Sequence, residues 1–378
     1  MKKVSIIVPM YKAKAYIRPC VEALLRQGLG DDLEILLIDD RSPDDTYDYA
    51  VNLYKDLPCV RVIEQEQNGG PGKARNRGLE EASGKYICFA DVDDMYLDNA
   101  ISDMLSVAEE ENADVVHTTG VRLTVTPKLP DDLTTLTEDD FVNLIFSRSK
   151  RDKNDLSNIS FDDMAERLRA WYAYEIHWSV WGKLYKKEFL DKNNIRFLNM
   201  KIGEDCIFVM QCVLTADKYV QNNRFSYIYR TGEAQSVSRG VGNPKVFISA
   251  QMSLFEIEKN FDRIFSNIPY LKEHPEEITR LKEMEIADIK APYAIAKYKE
   301  IGRDVLSRDE GVIALFEKYC PDDPKGAMDK IFEEYEQAEN DRNADSFSSY
   351  EFWNVIKKKV GHRVCSLEDI VSRSFLSW

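Results

Sequence analysis

No stretch of this 378-residue chain approaches the roughly 20 consecutive apolar positions that a membrane helix needs. Histidine is scarce. The four present include no H-E-x-x-H spacing, which argues against a zinc hydrolase. The seven cysteines form no C-x-x-C pair, so neither zinc-site nor thioredoxin spacing occurs, and the odd count suits buried thiols in a reducing compartment. Positive charge is also short. The net charge of −15 argues against a general nucleic-acid binder, whose affinity would rest on lysines and arginines meeting phosphates. After Met1-Lys2-Lys3 only Val4 to Met10 runs apolar before charge returns, too short for a secretory h-region, so a cytoplasmic location is expected. Glycine is missing from the first strand-to-helix turn, Pro9 to Tyr16, which excludes the G-x-G-x-x-G dinucleotide fingerprint. The P-loop template fails as well, with Gln67 where its first glycine belongs and Ala74 where Ser or Thr belongs.

The chain does have alternation. Its length allows one large or two moderate domains, and 44% hydrophobic residues are enough to build real cores. Residues 1 to about 120 alternate strand and helix signals, predicting an α/β fold with a mostly parallel sheet. Val4 to Val8 is a short buried strand stopped by Pro9, and Ile17, Val21, Leu24 and Leu25 then repeat at helical spacing. Glu34 to Ile38 is a second strand ending in Asp39-Asp40. Ser42 and Pro43 stand as N-cap and first residue of the next helix. Val60 to Ile63, Tyr86 to Ala90 and Asp114 to Val116 complete the strands, with helices after Gly72 and near 97–111. The pattern weakens over 126–160, read as a connection with a short helix near 138–146. Residues 161–240 are mixed and aromatic-rich, and helical periodicity dominates from about 245.

Phe89-Ala90-Asp91-Val92-Asp93-Asp94 carries the strongest chemical signal, an apolar strand that ends in three carboxylates. Crowded carboxylates repel, so their charged forms need a cation or strong hydrogen bonds. Hard oxygen ligands suit Mg²⁺ or Mn²⁺ carrying phosphates. Gly69-Gly70-Pro71-Gly72 leads into a helix with Lys73, Arg75 and Arg77 nearby, which makes either an anion site or a plain turn. Tyr11 could stack on a nucleobase or simply pack. Asp40 could accept a base imide N–H or cap the next helix. All these residues sit at carboxyl ends of strands, where open α/β sheets bind ligands, so they should line one crevice.

This order of motifs resembles the family-two glycosyltransferases of GT-A fold. The V-S-I-I-V-P-x-Y opening is Val4 to Tyr11, the D-D strand end is Asp39-Asp40, and N-x-G-x-x-x-A-R-N-x-G is Asn68 to Gly78. The D-x-D is Asp91-Val92-Asp93, W-x-K-L-Y is Trp181 to Tyr185, and G-E-D-x-x-F is Gly203 to Phe208. A tyrosine-rich strand with Arg230 and Ser236 follows. The resemblance covers roughly residues 3–240. It implies a metal-dependent inverting transfer from a nucleotide sugar, UDP-linked, to a glycan, lipid-linked or teichoic-type acceptor of the bacterial cell envelope. By it, Asp40 reads the base with Pro9 and Tyr11 against it, and Asn68 and Arg75 line the nucleotide. Asp91 faces ribose or metal, Asp93 holds Mn²⁺ or Mg²⁺, and Asp205 is the general base with Glu204 as runner-up. Lys73, Lys183, Arg230 and Ser236 are candidate diphosphate or acceptor contacts, and the last three read equally as packing or capping residues. From the residues alone, Glu204-Asp205 also reads as acids favoured at a helix N-terminus, and His177 reads as an acceptor contact or a structural histidine.

The expected domains are 1–240, with a nucleotide-binding half over 1–120 and an acceptor-side half over 121–240, and a helical region over 241–378. The segment Phe352 to Lys359, with Phe375 to Trp378, mixes aromatics and lysines. It could lie peripherally on the inner membrane face, or dock on the catalytic domain or a second subunit of a homo-oligomer. Two other classes compete: a nucleotidyltransferase, which normally carries a glycine- and basic-rich loop after the first strand, and a non-catalytic nucleotide-sugar-binding or assembly module.

Overall fold

The computed structural model describes residues 2–124, 157–173, 175–231 and 243–340. They fall into two compact units. One holds 2–199 and 205–231, and the other holds Met200–Glu204 with 243–340.

The first unit is built on a sheet of β1 (Val4–Met10), β2 (Leu33–Asp39), β3 (Val60–Glu64), β4 (Tyr86–Phe89), β5 (Met95–Tyr96), β6 (Val115–Thr124), β7 (Asn158–Ser160), β8 (Lys183–Lys186) and β9 (Tyr219–Thr231). The strand order is β3-β2-β1-β4-β8-β6-β9-β5, with β7 pairing β9. β1 to β4 are mutually parallel, and β8 runs antiparallel to both β4 and β6. The chain therefore winds from β1 outward to β3 and returns to β4 on the other side of β1. The reversal of strand order beside β1 is the switch point where such sheets open a ligand crevice.

β1 is buried on both faces, which is why its sequence is apolar on both faces rather than alternating, with Ser5 the one polar residue and its hydroxyl donated to Glu34. Val4, Ile6, Val8 and Met10 share a core with Ile17, Val21 and Leu24 of α1 (Lys14–Leu25) and Ile101 and Met104 of α4 (Ala100–Glu110). Ile7 points the other way, into α3 (Pro71–Glu81) at Gly78. A Cβ added at Gly78 would lie 2.3 Å from Ile7 Cγ2. Alanine favours a helix interior by up to about 1 kcal/mol over glycine, but overpacking a closed core costs about 1–3 kcal/mol. Ile7 is β-branched and fully buried, so it cannot yield cheaply. Gly78→Ala should therefore destabilise the protein and lower its urea midpoint. A midpoint that rises would show that α3 is not pinned on β1.

Three sequence expectations shift. β1 does not stop at Pro9 but continues to Met10, pairing Pro9 with Ile38. The missing N–H is harmless because β4 pairs β1 only as far as Ile7, leaving no strand on that side to bond. The helix expected from Ser42 begins instead as α2 at Thr46 (Thr46–Tyr54). Ser42 is drawn onto Asp39, donating its N–H at 2.9 Å and its hydroxyl at 2.6 Å to the carboxylate. Asn158–Ser160, read as part of a connection, forms β7 against β9. The short helix near 138–146 and the C-terminal aromatic–lysine segment lie outside the described residues.

The second unit is helical. It runs through α8 (Pro244–Phe265), α10 (Pro275–Ile289), a π-helical turn (Lys290–Ile295) that contains Pro292, and later helices to Asn340. Its core includes Phe247, Ile257, Phe261, Leu281 and Phe332. No helix among the described residues is long and apolar enough to cross a membrane.

Candidate active site

Four strand ends supply the polar groups. At the end of β2, the Asp40 N–H donates to Met10 O at 2.8 Å, joining it to the end of β1. The Asp40 carboxylate accepts from Gln65 Nε2 (2.6 Å), the Gly69 N–H (2.7 Å) and the Gly70 N–H (2.7 Å). Asn68 Nδ2 donates to Asp40 O at 2.9 Å. Asp40 thus fastens the glycine loop rather than capping α2. Gly70 needs its lack of a side chain, because its φ of +87° with ψ of 170° is a conformation other residues avoid. Tyr11 projects from the end of β1 with 47% of its surface exposed, the most exposed aromatic ring among the described residues of the first unit.

The loop delivers α3, and α3 delivers Arg75. The buried Arg75 guanidinium bonds Asp91 Oδ1 at 2.8 Å and lies over the Phe197 ring. An internal cation therefore meets part of the carboxylate repulsion seen in the sequence. Arg77 turns to Glu81 instead, and Lys73 is exposed with its stem against Gly69. The Asp91 N–H donates to the Tyr227 hydroxyl at 2.9 Å, and the Asp94 N–H closes a turn onto Asp91 O at 3.1 Å. Burial pushes the Tyr227 phenol up, and Asp94 and Asp91 add to the effect, so it remains a neutral hydroxyl. The Cys20 thiol is raised first by burial, then by Asp94, Asp93 and Asp91 around it.

Among the described residues no three metal-ligating side chains gather as a closed ion cage. Mg²⁺ at nucleotide sites is usually held by one or two carboxylates, with phosphates and waters completing the shell. The hard oxygens of Asp91 and Asp93 fit that open arrangement.

Asp205 stands in the first turn of α7 (Glu204–Thr215). The helix is tied to β4 through Phe208, whose ring meets Phe89 edge-on at 5.6 Å and stacks on Phe197 at 4.1 Å. Asn76 exchanges two hydrogen bonds with the Phe197 backbone, at 2.9 and 3.0 Å, so the same cluster also holds α3. Lys183 lies buried nearby. Its ammonium donates to His177 O (2.7 Å) and Ser179 O (2.6 Å). Burial pushes its pKa down to about 7, opposed by Cys212, Asp205 and Cys206. Glu204 is buried and groups with the helical unit. There Gly203, at φ +82°, leaves no room for a side chain, since a Cβ would lie 2.7 Å from Glu285 Oε1. The Ile202 N–H donates to Ser253 Oγ at 3.3 Å. The Arg230 side chain and Ser236 lie outside the described residues.

The fold thus gathers Pro9, Tyr11, Asp40, Asn68, Arg75, Asp91 and Asp93 around the end of β1, with Lys183 and Asp205 neighbouring one another on β8 and α7. The sequence reading missed Gln65, Tyr227 and Phe197. Tyr227 had a signal, since it lies in the tyrosine-rich run. Gln65 and Phe197 had none.

These features define a GT-A domain. A family model described as Glycosyl transferase family 2 matches residues 5–169. The uncharacterized glycosyltransferase EpsJ of Bacillus subtilis is 32% identical over 235 residues, 60% of this chain and 60% of that protein. The poly(ribitol-phosphate) beta-glucosyltransferase of Bacillus spizizenii is 30% identical over 244 residues, 62% of this chain and 34% of that protein. The chain thus spans at most 60% of the length of these relatives. The solved structure of S. aureus TarS 1–349 in complex with UDP matches with a TM-score of 0.54 at 19% identity, over 92% of this chain and 94% of that one, and shares the fold. Residues 5–169 thus match glycosyl transferase family 2, the family whose order of motifs the sequence resembles.

Proposed function

We propose that this protein transfers a sugar, with inversion, from a UDP-linked donor to a hydroxyl of a cell-envelope glycan, lipid-linked or teichoic-type acceptor. The observation that carries the reading is the meeting at the end of β1 of Asp40, which holds the glycine loop, and the Arg75–Asp91 pair. Relatives named for acting on poly(ribitol-phosphate), and a solved relative complexed with UDP-GlcNAc, support donor and acceptor class.

Asp40, Pro9, Tyr11 and Asn68 would hold the nucleoside. Asp93, with Asp91 beside it, would hold the Mn²⁺ or Mg²⁺ that neutralises the leaving diphosphate. Asp205 would take the proton of the acceptor hydroxyl as that oxygen bonds to the anomeric carbon. The bond from that carbon to the diphosphate oxygen breaks, and its electron pair leaves on UDP. Arg75 keeps Asp91 oriented, and Lys73 stands at the outer edge of the loop.

Calorimetric titration of UDP, with and without Mn²⁺, tests the reading. The natural protein should bind UDP far more tightly with metal. Removing even an outer-shell partner costs about 10–100-fold in metal affinity, so Asp93→Ala should lose at least that much and become indifferent to metal. Identical binding with and without Mn²⁺ in the natural protein would overturn it.

A further inference from the structure

The transfer chemistry above leaves an aromatic ladder unused. Trp181 lies flat on Tyr227, with ring centroids 4.4 Å apart and planes at 6°, and stacks on Tyr229 at 5.9 Å. His177 tilts against Trp181 at 5.4 Å and stacks on Trp178 at 5.0 Å. Trp178 ends the series and keeps 36% of its surface exposed. The ladder is anchored at both ends. Tyr227 takes the Asp91 N–H at 2.9 Å, and Lys183, neighbour of Asp205, grips the loop through His177 O and Ser179 O. His177 itself is locked, its Nδ1 accepting the Ser179 N–H at 3.1 Å. The rings therefore start at the partner of the candidate metal ligand Asp91, and the loop that carries their far end is held by Lys183, which senses the charge of Asp205.

Phosphate oxygens are anionic and are repelled by the negative face of an aromatic ring, so an indole face there has little to offer the diphosphate. A pyranose ring does present a flat face of C–H groups, whose weak positive character complements the negative face of an aromatic ring. An acyclic polyol phosphate has no such face. We propose that Trp178, backed by His177 and Trp181, stacks on a pyranose ring of the acceptor and so aims its hydroxyl between Asp91 and Asp205. The inference rests on the glycosyltransferase reading and adds the acceptor class.

The test uses the full chain saturated with UDP and Mn²⁺, probed by saturation-transfer NMR titration with methyl β-D-glucopyranoside and, separately, ribitol 5-phosphate. The glucoside should bind through its ring C–H protons. Trp178→Ala should weaken it about 10-fold, the scale of one aromatic contact, with Trp178→Phe closer to the natural protein. UDP affinity should stay unchanged in both variants, which also shows that they fold. Equal glucoside affinity in Trp178→Ala, no glucoside binding at all, or preference for ribitol 5-phosphate would each overturn the subsite. Failure of UDP to bind the natural chain would instead sink the transferase reading on which the subsite depends.

Discussion

Asp205→Asn should cut sugar transfer about 10²–10⁴-fold, the usual contribution of a positioned general base, while leaving UDP affinity unchanged. Asparagine keeps the size of aspartate and can still accept the Cys206 N–H that Asp205 Oδ1 takes at 3.1 Å. Its amide cannot take up the acceptor proton. The structural side effect is small by comparison. An acid in the first turn of α7 gains about 0.3–1 kcal/mol from the helix dipole, whereas the helix is fixed by Phe208 between Phe89 and Phe197. Thermal denaturation of the variant should therefore stay close to that of the natural protein. Glu204→Gln is the necessary companion, because Glu204 is buried one residue earlier. If Glu204 were the base, the two variants would exchange phenotypes. Near-normal UDP release by Asp205→Asn in the presence of donor and acceptor would remove Asp205 from the role.

Much of this architecture was legible because local pattern and tertiary demand agree. The apolar run of β1, the acids after β2 and β4, and the Gly70-Pro71 entry to α3 each state their strand end or helix start. What escaped depended on partners distant in sequence. Pro9 reads as a terminator until it is seen that β4 has already parted from β1. Ser42 reads as a helix cap until Asp39 captures it. Lys183 reads as a diphosphate contact or as a packing residue, and only the fold shows its ammonium buried against two carbonyls of its own loop. The two-residue strand β5 is too short to show a period, and it is fixed by pairing with Tyr227 and Ile228 and by the Tyr96 hydroxyl, which donates to Phe89 O and accepts the Gly182 N–H. Likewise, nothing in Met200–Glu204 announces that it groups with helices beginning some forty positions later, a link made by Ile202 on Ser253 and by the close approach of Gly203 to Glu285. The acidic cluster was legible as a demand for positive charge, but not as one that Arg75 partly meets from within.

Asp40→Ala should damage stability and nucleotide binding together. Asp40 is 4% exposed, and its carboxylate takes three N–H donors, two of them from the backbone of Gly69 and Gly70. A buried donor left without a partner costs about 1–3 kcal/mol. Gly70 is buried and Gly69 partly open to water, so a loss of about 2–4 kcal/mol is expected, read as a lower urea midpoint with an unchanged slope. Asp40→Asn should rescue little of this. Its amide can offer an oxygen to only one of the two glycine N–H groups and turns an NH₂ toward the other. The damage should also spread along α3, because the loop that Asp40 holds sets Pro71 at the first helical position and thereby Arg75 on Asp91. Calorimetry should accordingly find UDP binding weakened in both variants. Lost UDP binding at full stability would confine Asp40 to ligand contact and deny it the loop. Intact binding in a destabilised protein would leave it the loop and deny it the base.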